Sequence, residues 1–125
     1  MIQQQSIIRI VDNSGAKTAK CIKVLKKKTT AGIGDLIIVS ITKVKTYTQK
    51  ISKIKKGSVY LAIVVGLKRV RQKKKGILLL VNENSVCLLN KQKKLIATRI
   101  NKAISKEVKK KKLFKLASLS LAGFY

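Results

Sequence analysis

Apolar and polar positions alternate along most of this chain with the period of β-strands, in short runs. Residues 6–11 and 18–25 are two runs rich in β-branched side chains. They flank Asp12-Asn13-Ser14-Gly15-Ala16-Lys17. Asp and Asn side chains can bond their own backbone in turns, and Gly adopts positive φ without steric cost. The pattern predicts strand, compact loop, strand. Lys20 and Lys23 within the second run, and Lys26 just after it, interrupt the apolar positions, so one face is expected to be buried and the other cationic. Residues 26–33 read as a basic loop, and Gly32-Ile33-Gly34-Asp35 as a turn. Residues 36–43 read as a strand with Ile37, Val39 and Ile41 on one face.

Residues 45–52 are polar and read as an exposed ribbon or loop. Lys55-Lys56-Gly57-Ser58 turns the chain into its most apolar strand, residues 59–67. There Val59, Leu61, Ile63 and Val65 are expected on the buried face. Ala62 and Gly66 lie on the other, small enough for close packing. Residues 68–75 are densely basic and, with Gly76 and residues 77–81, predict a hairpin with a cationic tip. Residues 86–89 make a last short strand. Short strands separated by Gly turns predict a small barrel rather than a helical bundle. From Asn101 the period changes. Ser105 is placed to cap a helix, Ile104 and Val108 are an i,i+4 pair, and Leu113, Leu116 and Ala117 restart the pattern after four lysines. Two short helices are expected on the barrel, lysines outward.

Charge sharpens this picture. The chain has 125 residues, one domain on length, and is 46% hydrophobic, enough for a core. It carries 30 Lys+Arg against 4 Asp+Glu, a net charge of +26. Solubility needs only about 2–8 units in a small domain. A larger excess repels itself unless a polyanion neutralises it. Nucleic acid is the first partner to consider; an anionic membrane surface or a merely solvated lysine surface is the alternative.

The inventory excludes most chemistry. Without His there is no Ser/His or Cys/His nucleophile pair. Asp12 and Asp35 sit in turns, and no phosphate-binding Gly loop occurs. Cys21 and Cys87 are far apart, with neither His nor Cys-x-x-Cys beside them, so no zinc site is expected. Buried reduced thiols are the default, a single disulfide the alternative. No enzyme, metal or cofactor is expected. Nor is membrane insertion, since the longest apolar run, residues 59–67, already contains Tyr60 and Gly66. The N-terminus has no signal or transit pattern. The absence of Pro and Trp and the preference for Lys over Arg suggest a coding bias, as in an A/T-rich organellar or reduced genome.

A cationic β-module contacts phosphates irrespective of base sequence. Tyr47, Tyr60, Phe114, Phe124 and Tyr125 are scattered rather than clustered, which argues against stacked single-stranded bases and for folded, helical nucleic acid. Candidate contacts are Lys17, Lys20 and Lys23 on the second strand, and Lys68, Arg69, Arg71, Lys73, Lys74 and Lys75 on the hairpin. Arg99 is another, its guanidinium able to fork a phosphate or a carboxylate.

Several motifs occur in a specific order: Met1-Ile2-Gln3, Asp12 to Lys17, Cys21-Ile22-Lys23-Val24-Leu25, Gly32 to Asp35, Lys55-Lys56-Gly57, Ala62-Ile63-Val64-Val65, Asn84, Leu88-Leu89-Asn90 and Thr98-Arg99-Ile100. Together they resemble the universal large-subunit ribosomal protein fourteen family, in its bacterial and organellar form, over essentially the whole chain. The resemblance implies a mainly β fold: a five-stranded barrel with a protruding β-ribbon and short C-terminal helices. The barrel would take about residues 1–100 and the helical segment about 101–125 of one domain.

It further implies a structural role in translation, with large-subunit rRNA as ligand. Large-subunit proteins three and nineteen would be neighbours, and small-subunit rRNA would be met at an inter-subunit bridge. The chain departs from the family in residues 45–54, which replace a tight Pro/Gly turn. It also departs at Lys75, Val81 and Lys102-Ala103; these bear on loop and ribbon conformation. Starting at the family's own first residue, it is expected to lack a cleaved import sequence. With its composition this favours synthesis inside a mitochondrion; a bacterial cytoplasm or a plastid is the alternative. The competing function is a free-standing nucleic-acid-binding β-barrel module.

Overall fold

The computed structural model describes residues 1–25, 29–46, 54–72, 76, 78–111 and 113–125. Strands β1 (Ile7–Ile10), β2 (Ala16–Val24), β3 (Leu36–Val44) and β4 (Val59–Gly66) follow one another. Next come β5 (Arg69–Gln72) and β6 (Leu78–Val81), then β7 (Ser85–Leu89) and helices α1 (Glu107–Lys110) and α2 (Phe114–Ser118). Five strands close a barrel in the order β1-β2-β3-β4-β7, and β5 and β6 form a separate two-stranded ribbon. The barrel, the ribbon and the two short helices therefore match expectation. The ribbon's tip, including Lys73, Lys74 and Lys75, lies outside the described residues, as do residues 47–53 of the expected exposed loop.

Closure is parallel: Arg9 of β1 pairs with Ser85 of β7, and Ile10 with Val86. Every other barrel pairing is antiparallel. In β3, Ile37, Val39 and Ile41 are buried, as the alternation predicts.

In β4 the predicted face is reversed. Ala62 pairs with Ile37 on one side and Leu88 on the other, and Val64 pairs with Val86. Cross-strand partners share a face, so Ala62 and Val64 point into the barrel. Val59, Leu61, Ile63 and Val65 point outward. Val59 is 59% exposed, whereas Ile63 and Val65 are buried. There the chain beyond residue 100 covers them: Ser105 N–H donates to the Val65 carbonyl at 3.1 Å, and Ile104, Val108 and Leu116 join the same core. A strand buried on both faces carries no alternation from which its inner face could be read. The expected close approach does occur at Gly66, where a Cβ would clash with Ser85 Oγ and the Tyr125 hydroxyl.

Strand β2 departs from strict alternation. Its buried residues are Ala16, Ala19, Cys21 and Val24, with spacings of three, two and three. Register irregularities between Ala16 and Ala19, and between Cys21 and Lys23, absorb the extra residues. Lys17, Lys20 and Lys23 are consequently all exposed. An unbroken period of two would have sent some of them inward.

Helix α1 begins one residue later than expected. Lys106 is its N-cap, while Ser105 is 2% exposed and its Oγ accepts from Glu107 N–H at only 3.4 Å. Both helices are one turn or little more. They hold their place through buried Val108 and Leu116, with Lys106, Lys109 and Lys111 exposed.

Candidate nucleic-acid interface

The loop between β1 and β2 is a structural clamp on which the cationic surface is hung. Asp12 is 2% exposed, and its carboxylate accepts from Leu88 N–H at 2.8 Å, from Ser14 N–H at 3.0 Å and from the Ser14 hydroxyl. Asn13 does not bond its own turn through its side chain, contrary to expectation. Its Oδ1 accepts from Thr98 N–H (3.1 Å) and Arg99 N–H (3.3 Å), and its Nδ2 donates to Thr98 Oγ1 at 3.0 Å, a partner 85 residues away. Two motifs distant in sequence thus form one unit. Asn84 plays a similar part at the ribbon's base, its Oδ1 accepting from Lys68 N–H at 2.7 Å.

Burial raises the pKa of Asp12 against the opposing effect of these hydrogen bonds and of the Lys45 charge. It also pushes the Cys87 thiol well above its usual range, aided by Asp12, and raises Cys21. Both cysteines are free and buried, so neither offers a thiolate. Glu83 is held below the usual carboxylate range, first by its hydrogen bond from Lys102 and then by Arg9.

The predicted contact residues fall on separate patches. Lys17, Lys20 and Lys23 project from β2, and Lys68 is exposed at the entry to the ribbon. Arg69 donates to Glu107 at 2.6 Å, tying the ribbon to α1. Arg71 lies in β5, opposite Leu79. Arg99 is exposed, its backbone fixed by Asn13.

Sequence reasoning did not single out Arg9, Lys45 or Lys102. These three, with Lys17, line an open cleft of about 540 Å³ that Ile10, Val11 and Val44 also line. Arg9 is legible as an outward position between Ile8 and Ile10. Its meeting with Lys102 depends on the segment after residue 100 docking beside Val11 and Asp12, and could not be read locally. Among the described residues no cluster suits a metal ion, and no helix is long and apolar enough to cross a membrane.

A closed β-barrel bearing cationic patches and no catalytic constellation among its described residues defines a binding or structural module. Its sequence matches the family model described as ribosomal protein L14p/L23e over residues 1–123, and the chain belongs to that family, a structural, non-enzymatic class. It is 43% identical over 122 residues to the large ribosomal subunit protein uL14 of Carsonella ruddii (strain PV), covering 96% of this chain and 97% of that protein.

Proposed function

We propose that this protein is a structural constituent of the large ribosomal subunit that binds large-subunit rRNA through phosphate contacts and contributes to the subunit interface. Its charge balance carries the reading. All four carboxylates are engaged within the chain: Asp12 by backbone and Ser14, Asp35 by Lys111, Glu83 by Arg9 and Lys102, Glu107 by Arg69. Thirty cations face only these four anions, so a polyanion must supply the rest. The exposed lysines of β2 and the basic ribbon are the surfaces offered to it. Leu78 and Leu80 on the ribbon are 68% and 66% exposed, which supports a protein neighbour there; proteins three and nineteen, and a bridge to small-subunit rRNA, belong to the same proposal. Composition supports an organellar ribosome, and the bacterial relative favours the bacterial alternative.

Co-sedimentation of the native protein with large subunits in high salt is the expected result. Recovery only in the free fraction would favour the free-standing module. Replacing Lys68, Arg69 and Arg71 together by Gln should weaken rRNA binding. It should also lower the log–log salt slope by about 0.7–0.9 for each phosphate no longer neutralised. An unchanged slope in a folded variant would place the ribbon away from RNA.

Self-repulsion also predicts that the isolated protein melts at lower temperature at about 0.01 M salt than at about 0.15 M. The Debye length falls from about 30 Å to about 8 Å between the two. Melting curves indifferent to ionic strength would contradict this.

A further inference from the structure

We propose that the cleft lined by Arg9, Lys17, Lys45 and Lys102 seats the sugar–phosphate backbone of an RNA strand. The inference rests on the rRNA-binding reading and names a surface for it. Arg9, Lys17 and Lys45 come from β1, β2 and just past the end of β3, and Lys102 from the segment after residue 100, so the site is complete only once that segment has docked beside Val11.

Glu83, which does not line the cleft itself, bridges two residues that do. Its Oε1 accepts from Arg9 Nη1 at 2.7 Å and its Oε2 from Lys102 Nζ at 2.9 Å, holding two cations side by side. Each cation keeps further N–H donors for a phosphate, while the carboxylate between them opposes an arriving anion. Asp12 is the one acidic residue of the lining, yet its oxygens are taken by Leu88 N–H and Ser14, turned into the protein. Ile10, Val11 and Val44 bring no hydrogen-bonding side chain, Thr46 brings a hydroxyl, and none of the described lining residues is aromatic. Asn101 adds an amide that can bond a ribose hydroxyl. The arrangement therefore suits backbone contact rather than base reading.

The test measures binding of the full chain to a large-subunit rRNA transcript across a salt series. Lys17→Gln/Lys45→Gln should bind more weakly, with a slope lower by about 0.7–0.9 for each phosphate left without its lysine. Lys91→Gln/Lys94→Gln, a charge-matched pair in the exposed turn after β7, should keep the parent slope. Glu83→Gln frees Arg9 and Lys102 of their shared carboxylate and should bind more tightly. A melting curve matching the parent's shows that the increase does not come from a misfolded variant.

Equal weakening by the two lysine pairs would mean that only total charge matters, and would overturn the cleft. So would a cleft pair that binds like the parent, or a Glu83→Gln that binds no better. If the ribbon variant binds more weakly while the cleft pair does not, the rRNA reading stands and the cleft alone falls. A parent chain that binds no rRNA overturns both.

Discussion

Asp12→Ala should lower the unfolding free energy by about 1–3 kcal/mol, the cost of leaving a buried donor without its acceptor. The donor is Leu88 N–H, inside the barrel wall, and Ser14 is deprived of its partner in the same step. Asp12→Asn should cost less, because one amide oxygen remains to accept and no charge has to be buried. Urea midpoints of the two variants, at unchanged m, would measure the difference.

The pH dependence has a definite sign. The folded pKa of Asp12 lies above its ordinary 3.8, so the folded state holds this proton more tightly than the unfolded chain does. The stability this group contributes is greatest below the unfolded value and declines as pH rises through the folded one. Glu83, with a lowered pKa, contributes stability above 4.5 that is lost as pH falls through its folded value. Relative to Asp12→Asn, the parent should therefore gain stability on acidification from neutral pH. A parent that loses ground to the variant in acid would contradict the buried-carboxylate account.

Gly57→Val should destabilise the fold by about 1–3 kcal/mol through the backbone alone. Gly57 has φ +83°, as expected for the turn before the most apolar strand, and a Cβ there would meet nothing within 4 Å. No clash contributes, so the cost is that of a β-branched residue in the left-handed region. The turn also pins a register. Gly57 N–H donates to the Ile41 carbonyl at 2.8 Å, and Ile41 N–H to the Ser58 carbonyl at 3.0 Å. A slip of one residue would exchange inward Ala62 and Val64 for the outward row. Gly57→Asn, which tolerates this conformation, should retain most of the stability. Thermal melts of Val, Asn and parent should rank in that order, Val lowest. A Val variant that melts like the parent but fails to enter the large subunit would make Gly57 a contact site instead.

Elements whose signal is local are legible in the sequence. Ile37, Val39 and Ile41 alternate with half-exposed neighbours, and Gly57 stands alone as the residue suited to its turn. The break at Asn101 is likewise a change of period within a few residues. What could not be read depends on partners far along the chain. The inner face of β4 is hidden because the segment containing Ile104 and Val108 buries its outer face as well. The irregularities of β2 are visible only against β3. Asn13 looks like a turn residue until Thr98 and Arg99 are beside it. Composition gives the number of lysines and arginines but not their neighbours. Arg69 proves to be shared with Glu107, and Arg9, beside Lys17 through β1–β2 pairing, meets Lys102 only through the segment after residue 100.

Parallel pairing of β1 with β7 imposes an order on the chain's own history. Until Ser85–Leu89 has been synthesised, Ile7–Ile10 and Val59–Gly66 each present an open hydrogen-bonding edge, and the Asp12 carboxylate has no Leu88 amide to receive. Joining residues 9 and 85 closes a long loop before it is rewarded, which gives the barrel a high contact order and a slow final step. A nascent chain paused short of Ser85 is therefore both sticky at its strand edges and strongly cationic. For this protein, how quickly translation runs past that point bears on whether the chain folds or aggregates.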